Sequence, residues 1–236
     1  MAVLASFCGA CPERSRRAQD GTAKGDRQRV FEALKARLSA DPLPSLPAAG
    51  LVPSAIPELD RLLGGGLPRG TVATLEGATG RWSVAARLMA GVTRRSLVAI
   101  LDDGKLYPPA LAEAGVRLER VLIVPAGTAL AIVRAVDILL RSRICRLVLM
   151  PAMALRDSVW TRLATLAHRG GGILIVMAPQ AGASLSAVAG LRLHCELERI
   201  TMHGTHGLWG TFDGFELRID VRKHKHRIYG RHAALR

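Results

Sequence analysis

At 236 residues with 49% apolar side chains, the chain has the size of one domain plus a small appendage and enough apolar content for a sizeable core, which excludes wholesale disorder. A formal net charge of +14 points to nucleic acid or an acidic protein as partner, while only 4% aromatic residues argue against a surface built to stack bases. No apolar run reaches about 18 residues, so no membrane span is expected. The N-terminus lacks the basic start of a signal peptide, and the four cysteines, Cys8, Cys11, Cys145 and Cys195, form no framework, so a reduced, cytoplasmic protein is expected.

Residues 1–25 mix Cys, Gly, Arg and Gln without a period and read as a disordered tail. Cys8-x-x-Cys11 has no second pair at metal spacing, and the histidines share no face, so no metal is expected. Residues 26–50 read as an N-terminal helix and a proline-rich strap. In the helix Asp26–Leu38, Val30, Phe31, Leu34 and Leu38 fall on one face of a 3.6 period. That face either covers the protein's own core or binds a partner. Four prolines between Asp41 and Pro53 prevent the helix from continuing.

Residues 51–230 read as the main domain. Ser54 to Leu63 suggests a short helix capped by Ser54 and ended by Gly64-Gly65-Gly66. A strand, Thr71–Glu76, leads into a second glycine turn. Strand candidates then alternate with helices: Leu97–Leu101, Val121–Val124, Leu147–Met150 and Ile173–Met177 between Ser83–Gly91, Pro109–Ala114, Ala129–Ser142 and Ser158–Arg169. Near-continuous Val/Ile/Leu runs are the pattern of strands buried on both faces of a parallel sheet. After Gln180 the strands become alternating (Leu191–Thr201, Gly207–Phe212, Phe215–Lys223), with hairpin signals at Gly204–Gly207 and Asp213-Gly214. Residues 231–236 read as a basic tail. The expected fold is α/β, a mostly parallel central sheet flanked by helices and finishing in antiparallel strands.

The turn after Glu76 has the setting of a phosphate-binding loop, between a strand and a helix. Its chemistry differs. A phosphate loop reads G-x-x-x-x-G-K-[ST], whose Lys neutralises phosphates and whose hydroxyl holds Mg²⁺. Counted from Gly77, the second Gly falls at Trp82, the Lys at Ser83 and the hydroxyl at Val84. Gly80-Arg81 reads as a shortened Gly-Lys, and Arg is no equivalent of a compact loop Lys. Thr79, Ser83 and the helix start could still hold an anion.

These residues resemble the RecA recombinase core, from about Pro53 to Lys225. A-I-P-E-L-D-R-L-L-G-G-G-L-P-R-G looks like the RecA-family lead-in to the phosphate loop. L-D-D-G-K-L-Y-P-P-A-L-A-E-A-G-V-R-L-E-R-V-L-I-V-P-A is similar to the strand carrying the catalytic Glu and the segment after it. The resemblance puts that Glu position at Asp103, the Walker B Asp at Met150 and the switch Gln at Gln180. A Met cannot bind a hard cation that wants oxygen. The segments matching the two DNA-binding loops of RecA, Met153–Trp160 and the ten residues after Gln180, are short. A RecA-like core with Gly77, Thr79, Gly80, Arg81, Ser83, Asp103 and Met150 as degenerate nucleotide-site positions looks like the ImuA family of bacterial mutagenesis cassettes.

That resemblance implies a non-enzymatic accessory protein of a DNA-damage-induced (SOS) translesion synthesis complex. It needs no cofactor, ATP included. Its implied partner is an ImuB-like inactive Y-family polymerase homologue, with RecA, an error-prone polymerase III alpha subunit and a second copy of the chain as further candidates. Val30, Phe31, Leu34 and Leu38 are the candidate partner-binding residues. The alternatives are an atypical ATPase using Arg81, Ser83 and Asp103, a direct DNA-binding RecA paralogue, and a RecA-like cell-division inhibitor.

Overall fold

The computed structural model describes residue 29, residues 50–102, 104, 106–204 and 210–225, and the backbone of 232–235. The chain divides into two compact units, Met1–Ser45 and Leu46–Arg236. The first lies outside the described residues except for Arg29, which is helical. The predicted partner-binding face of Val30, Phe31, Leu34 and Leu38 therefore lies outside them as well.

The second unit begins with a small antiparallel pair, β1 (Leu51–Val52) with β2 (Leu67–Pro68), enclosing helix α1 (Pro57–Leu63). The expected Ser54 cap is not formed. The helix starts at Pro57, whose fixed φ suits a first helical position, and Ile56 precedes it. Ser54 instead donates its backbone N–H to both carboxylate oxygens of Asp60 at 2.9 and 3.1 Å.

Six strands run parallel: β3 (Val72–Glu76), β4 (Leu97–Asp102), β5 (Val121–Pro125), β6 (Cys145–Pro151), β7 (Ile173–Met177) and β8 (Leu191–His203). Two more, β9 (Thr211–His224) and β10 (His232–Leu235), close the sheet antiparallel. The order is β10-β9-β8-β3-β7-β6-β4-β5. This is the expected α/β sheet, mostly parallel and finishing antiparallel. Two details differ from the sequence reading. Asp213-Gly214 makes no turn: Gly214 pairs with Thr201 and Phe212 with Met202, so Asp213 is the extra residue of a bulge within one continuous β9. Within the segment read as a basic tail, His232–Leu235 pairs with Leu217–Asp220 as an edge strand.

Helices cover both faces, which is why the parallel strands carry no polar alternation. Strand residues point alternately to the two sides. Ala73, Leu75, Val98, Ile100, Leu147 and Leu149 join one buried cluster with α1, α2 (Arg81–Thr93) and α3 (Pro108–Glu113). Val72, Ala99, Leu101, Val148 and Met150 join the other with α4 (Ala129–Ser142), α5 (Asp157–Gly170) and α6 (Ala183–Val188). Each fully buried Leu or Ile contributes about 1.5–3 kcal/mol to that stack. Because the strands are parallel, all their carboxyl ends meet at one rim, here the upper rim, and all their amino ends at the lower rim. Among the described residues, no helix is long and apolar enough to cross a membrane.

Candidate functional site

The glycine turn after Glu76 lies at the upper rim, between β3 and α2, where ligands bind in open α/β sheets. All five residues of β3 are buried, since the strand lies between β7 and β8. At its end Gly77 turns with φ +119 and donates its N–H to the Pro179 carbonyl at 2.9 Å. Only Gly fits: a Cβ here would run into the carbonyl oxygen of Cys195 on β8. Gly80, at φ +75, precedes α2, and a Cβ there would meet the side chain of Leu217 on β9. The β8–β9 ladder thus lies against the back of the turn.

Two polar side chains of the turn are used internally. Arg81 Nη1 donates to the carbonyl of Gly77, so the guanidinium folds back over the loop that a nucleotide would need open. Thr79 Oγ1 accepts from the Leu197 backbone N–H at 3.3 Å, tying the turn to β8. Ser83 lies on the first turn of α2 and lines a mainly apolar cleft of about 540 Å³ with Trp82, Tyr107, Phe212 and Phe215. The two Phe rings are stacked, their centroids 6.3 Å apart. Four of the five aromatic residues among those described line this one cleft; Trp160 alone is in the core.

Immediately before the turn lies a group not singled out in the sequence. Glu76 is buried at 1% exposure. Arg192 of β8 holds it with two hydrogen bonds, Nε to Oε1 at 2.7 Å and Nη2 to Oε2 at 2.9 Å, and the Thr74 hydroxyl donates to Oε1 at 2.7 Å. Burial pushes the Glu76 carboxyl up. The hydrogen bonds of Arg192 and Thr74, the Arg192 charge and the Ala181 backbone N–H outweigh it, and the group lies below its ordinary value. The signal for this pair was a Glu ending an apolar strand and an Arg in L-R-L-H-C. A separation of 116 residues kept them apart in the sequence.

The remaining predicted positions lie on β6 and on the loops after β4 and β7. Met150 is 1% exposed and belongs to the α4–α6 cluster with Trp160 and Val176. It packs as core. Asp103 lies outside the described residues. Its neighbour Asp102 accepts the backbone N–H of Leu106 at 3.1 Å, closing the bend after β4. Gln180 is exposed and lines a separate cleft with Ala152–Leu155 and α6. Gly77, Thr79, Gly80, Arg81 and Ser83 are therefore together, Met150 packs as core, and the chain on either side of Gln180 meets the turn through the Pro179 carbonyl and the Ala181 N–H. Cys145 and Cys195 are buried, and burial pushes both thiols up to about 12.

A parallel sheet with this turn, wrapped by helices and ended by antiparallel strands, is a RecA-like fold. A crystal structure of the RadB recombinase superposes with a TM-score of 0.60, covering 78% of this chain and 94% of that one at 16% identity, a likeness of fold. Residues 60–182, just over half the chain, match the MT3502 N-terminal domain family, and the chain belongs to that family. No curated protein matches it significantly.

Proposed function

We propose that the chain is a non-catalytic RecA-like accessory protein that works by protein–protein contacts in a DNA-damage-induced translesion synthesis complex. Its partner is an ImuB-like inactive Y-family polymerase homologue. One observation carries the non-catalytic reading: Arg81, the cation of the shortened Gly80-Arg81 pair, donates to the Gly77 carbonyl of its own turn. Two others support it. A buried Met150 offers a divalent ion no oxygen. Gly77 and Gly80 lie against β8 and β9, with no space for a side chain at either position. The translesion assignment rests on the resemblance of the lead-in and strand order to the ImuA family.

Two measurements test this reading. Calorimetric titration with ATP and Mg²⁺ is expected to give no saturable binding. Saturable binding with turnover that Arg81→Ala abolishes overturns it in favour of an atypical ATPase. Co-expression with a tagged, catalytically inactive Y-family polymerase homologue from the same genome is expected to retain the full chain at stoichiometric level. Failure to co-purify at low salt removes the translesion assignment and leaves the non-catalytic one standing.

A further inference from the structure

Charge differs between the two ends of the sheet. Toward the upper rim Glu76, Asp102, Asp157, Glu196, Glu198 and Asp213 are interspersed with Arg81, Arg156, Arg192 and Arg199. The lower rim is rich in arginine. Arg69 precedes β3, Arg94 and Arg95 follow α2, Arg143 follows α4, Arg146 is the second residue of β6, and Arg169 ends α5. Arg94, Arg95, Arg143 and Arg169 are exposed; Arg69 and Arg146 are half-buried.

These side chains are neighbours. Arg69 Nε donates to the Gly171 carbonyl at 3.4 Å, and Gly70 abuts His168. The Arg143 stem lies beside Gly170. Arg69, Arg94 and Arg95 line a single cleft with Asp60. Burial, and for Arg146 the Arg69 charge as well, holds both Arg69 and Arg146 below the ordinary guanidinium value. Among the described residues none of the six has a carboxylate within ion-pair distance. The acidic groups at this rim are Asp60, which accepts the Ser54 N–H, and the exposed Glu113 and Glu119 toward β5.

Favourable interaction with helix carbonyls accounts for Arg94, Arg95, Arg143 and Arg169 in part. It accounts for neither Arg69 nor Arg146, which lead into strands. The rim crosses β3, β7, β6 and β4, about 14 Å at roughly 4.8 Å per strand. That width spans about four base steps of a duplex at about 3.4 Å each. None of the six positions has an aromatic beside it in sequence, so the surface suits phosphates more than unstacked bases.

We propose that the lower rim binds the phosphodiester backbone of duplex DNA without reading bases, at the end of the sheet opposite the closed loop. This inference holds whether or not the translesion assignment does.

The test uses the full chain, a short labelled duplex of mixed sequence, and anisotropy titrations over a salt series. The rim variant is Arg94→Gln/Arg95→Gln/Arg143→Gln/Arg169→Gln. A control variant with equal charge loss is Arg87→Gln/Arg134→Gln/Arg156→Gln/Arg199→Gln. The rim variant is expected to bind at least 10-fold more weakly near 100 mM salt, with the slope of log K against log salt smaller by about 3, following roughly 0.9 per lost contact. The control is expected to change the slope by less than about 1 on the same scale. Replacing the same four rim residues by Lys is expected to retain binding, separating charge from fold. Equal losses in both Gln variants, loss in the control alone, or tighter binding of single-stranded than duplex DNA overturns the proposal.

Discussion

The two rims of one sheet treat charge in opposite ways. At the upper rim the side chains of Glu76, Arg81 and Thr79 each have a partner within the chain: Arg192, the Gly77 carbonyl and the Leu197 N–H. At the lower rim, arginines as close as Arg69 and Arg146 share no carboxylate among the described residues. The difference separates charge that shapes the fold from charge left over for something outside it. A buried ion pair holds geometry and loses much if one partner goes. Exposed cations hold little of the fold and are available to a polyanion.

The comparison is broken most sharply by disturbing the upper rim. Arg192→Ala leaves the Glu76 carboxylate buried with its main partner gone. A destabilisation of about 3–5 kcal/mol is expected in urea unfolding, and a loss under 1 kcal/mol would mean that water replaces Arg192. Gly77→Ala is expected to cost about 3 kcal/mol, from a φ reserved for Gly and from overlap with the Cys195 backbone; a melting curve checks it. Acid provides a third probe. Glu76 titrates lower in the folded chain than in the unfolded one, so its contribution is present above the unfolded value and is lost as pH falls through the folded value. Stability of the wild type should therefore decline on acidification below about pH 4, near the ordinary Glu value, and Glu76→Gln should flatten that decline. The smallest effect belongs to the other rim. Arg94→Gln with Arg95→Gln should leave the unfolding free energy within about 0.5 kcal/mol per site.

The sheet was legible because burial on both faces writes itself into sequence as unbroken runs such as I-L-I-V-M, now β7. The order of the parallel strands was legible only through the resemblance of the lead-in and glycine turn to the RecA core. Local turn chemistry misled where long-range pairing overrode it: Asp213-Gly214 carries a hairpin signal, yet β9 runs straight through because Thr201 lies opposite. Ser54 has the residue type of a cap, but Pro57 and Asp60 set the helix start instead. At the candidate site, the loss of Lys and of the Walker B carboxylate could be read residue by residue. What replaced them could not. Glu76 with Arg192 joins residues 116 apart, and the lower rim gathers arginines from the ends of three helices and the starts of two strands. Such groupings exist only once the topology does.

The contact of Leu217 with the Gly80 turn couples two distant stretches of chain. Leu217 is 1% exposed and belongs to the α1–α3 cluster, so the β3–α2 turn is seated on the core through β9. A side chain added at Gly80 would therefore press on the antiparallel edge of the sheet as well as on its own turn.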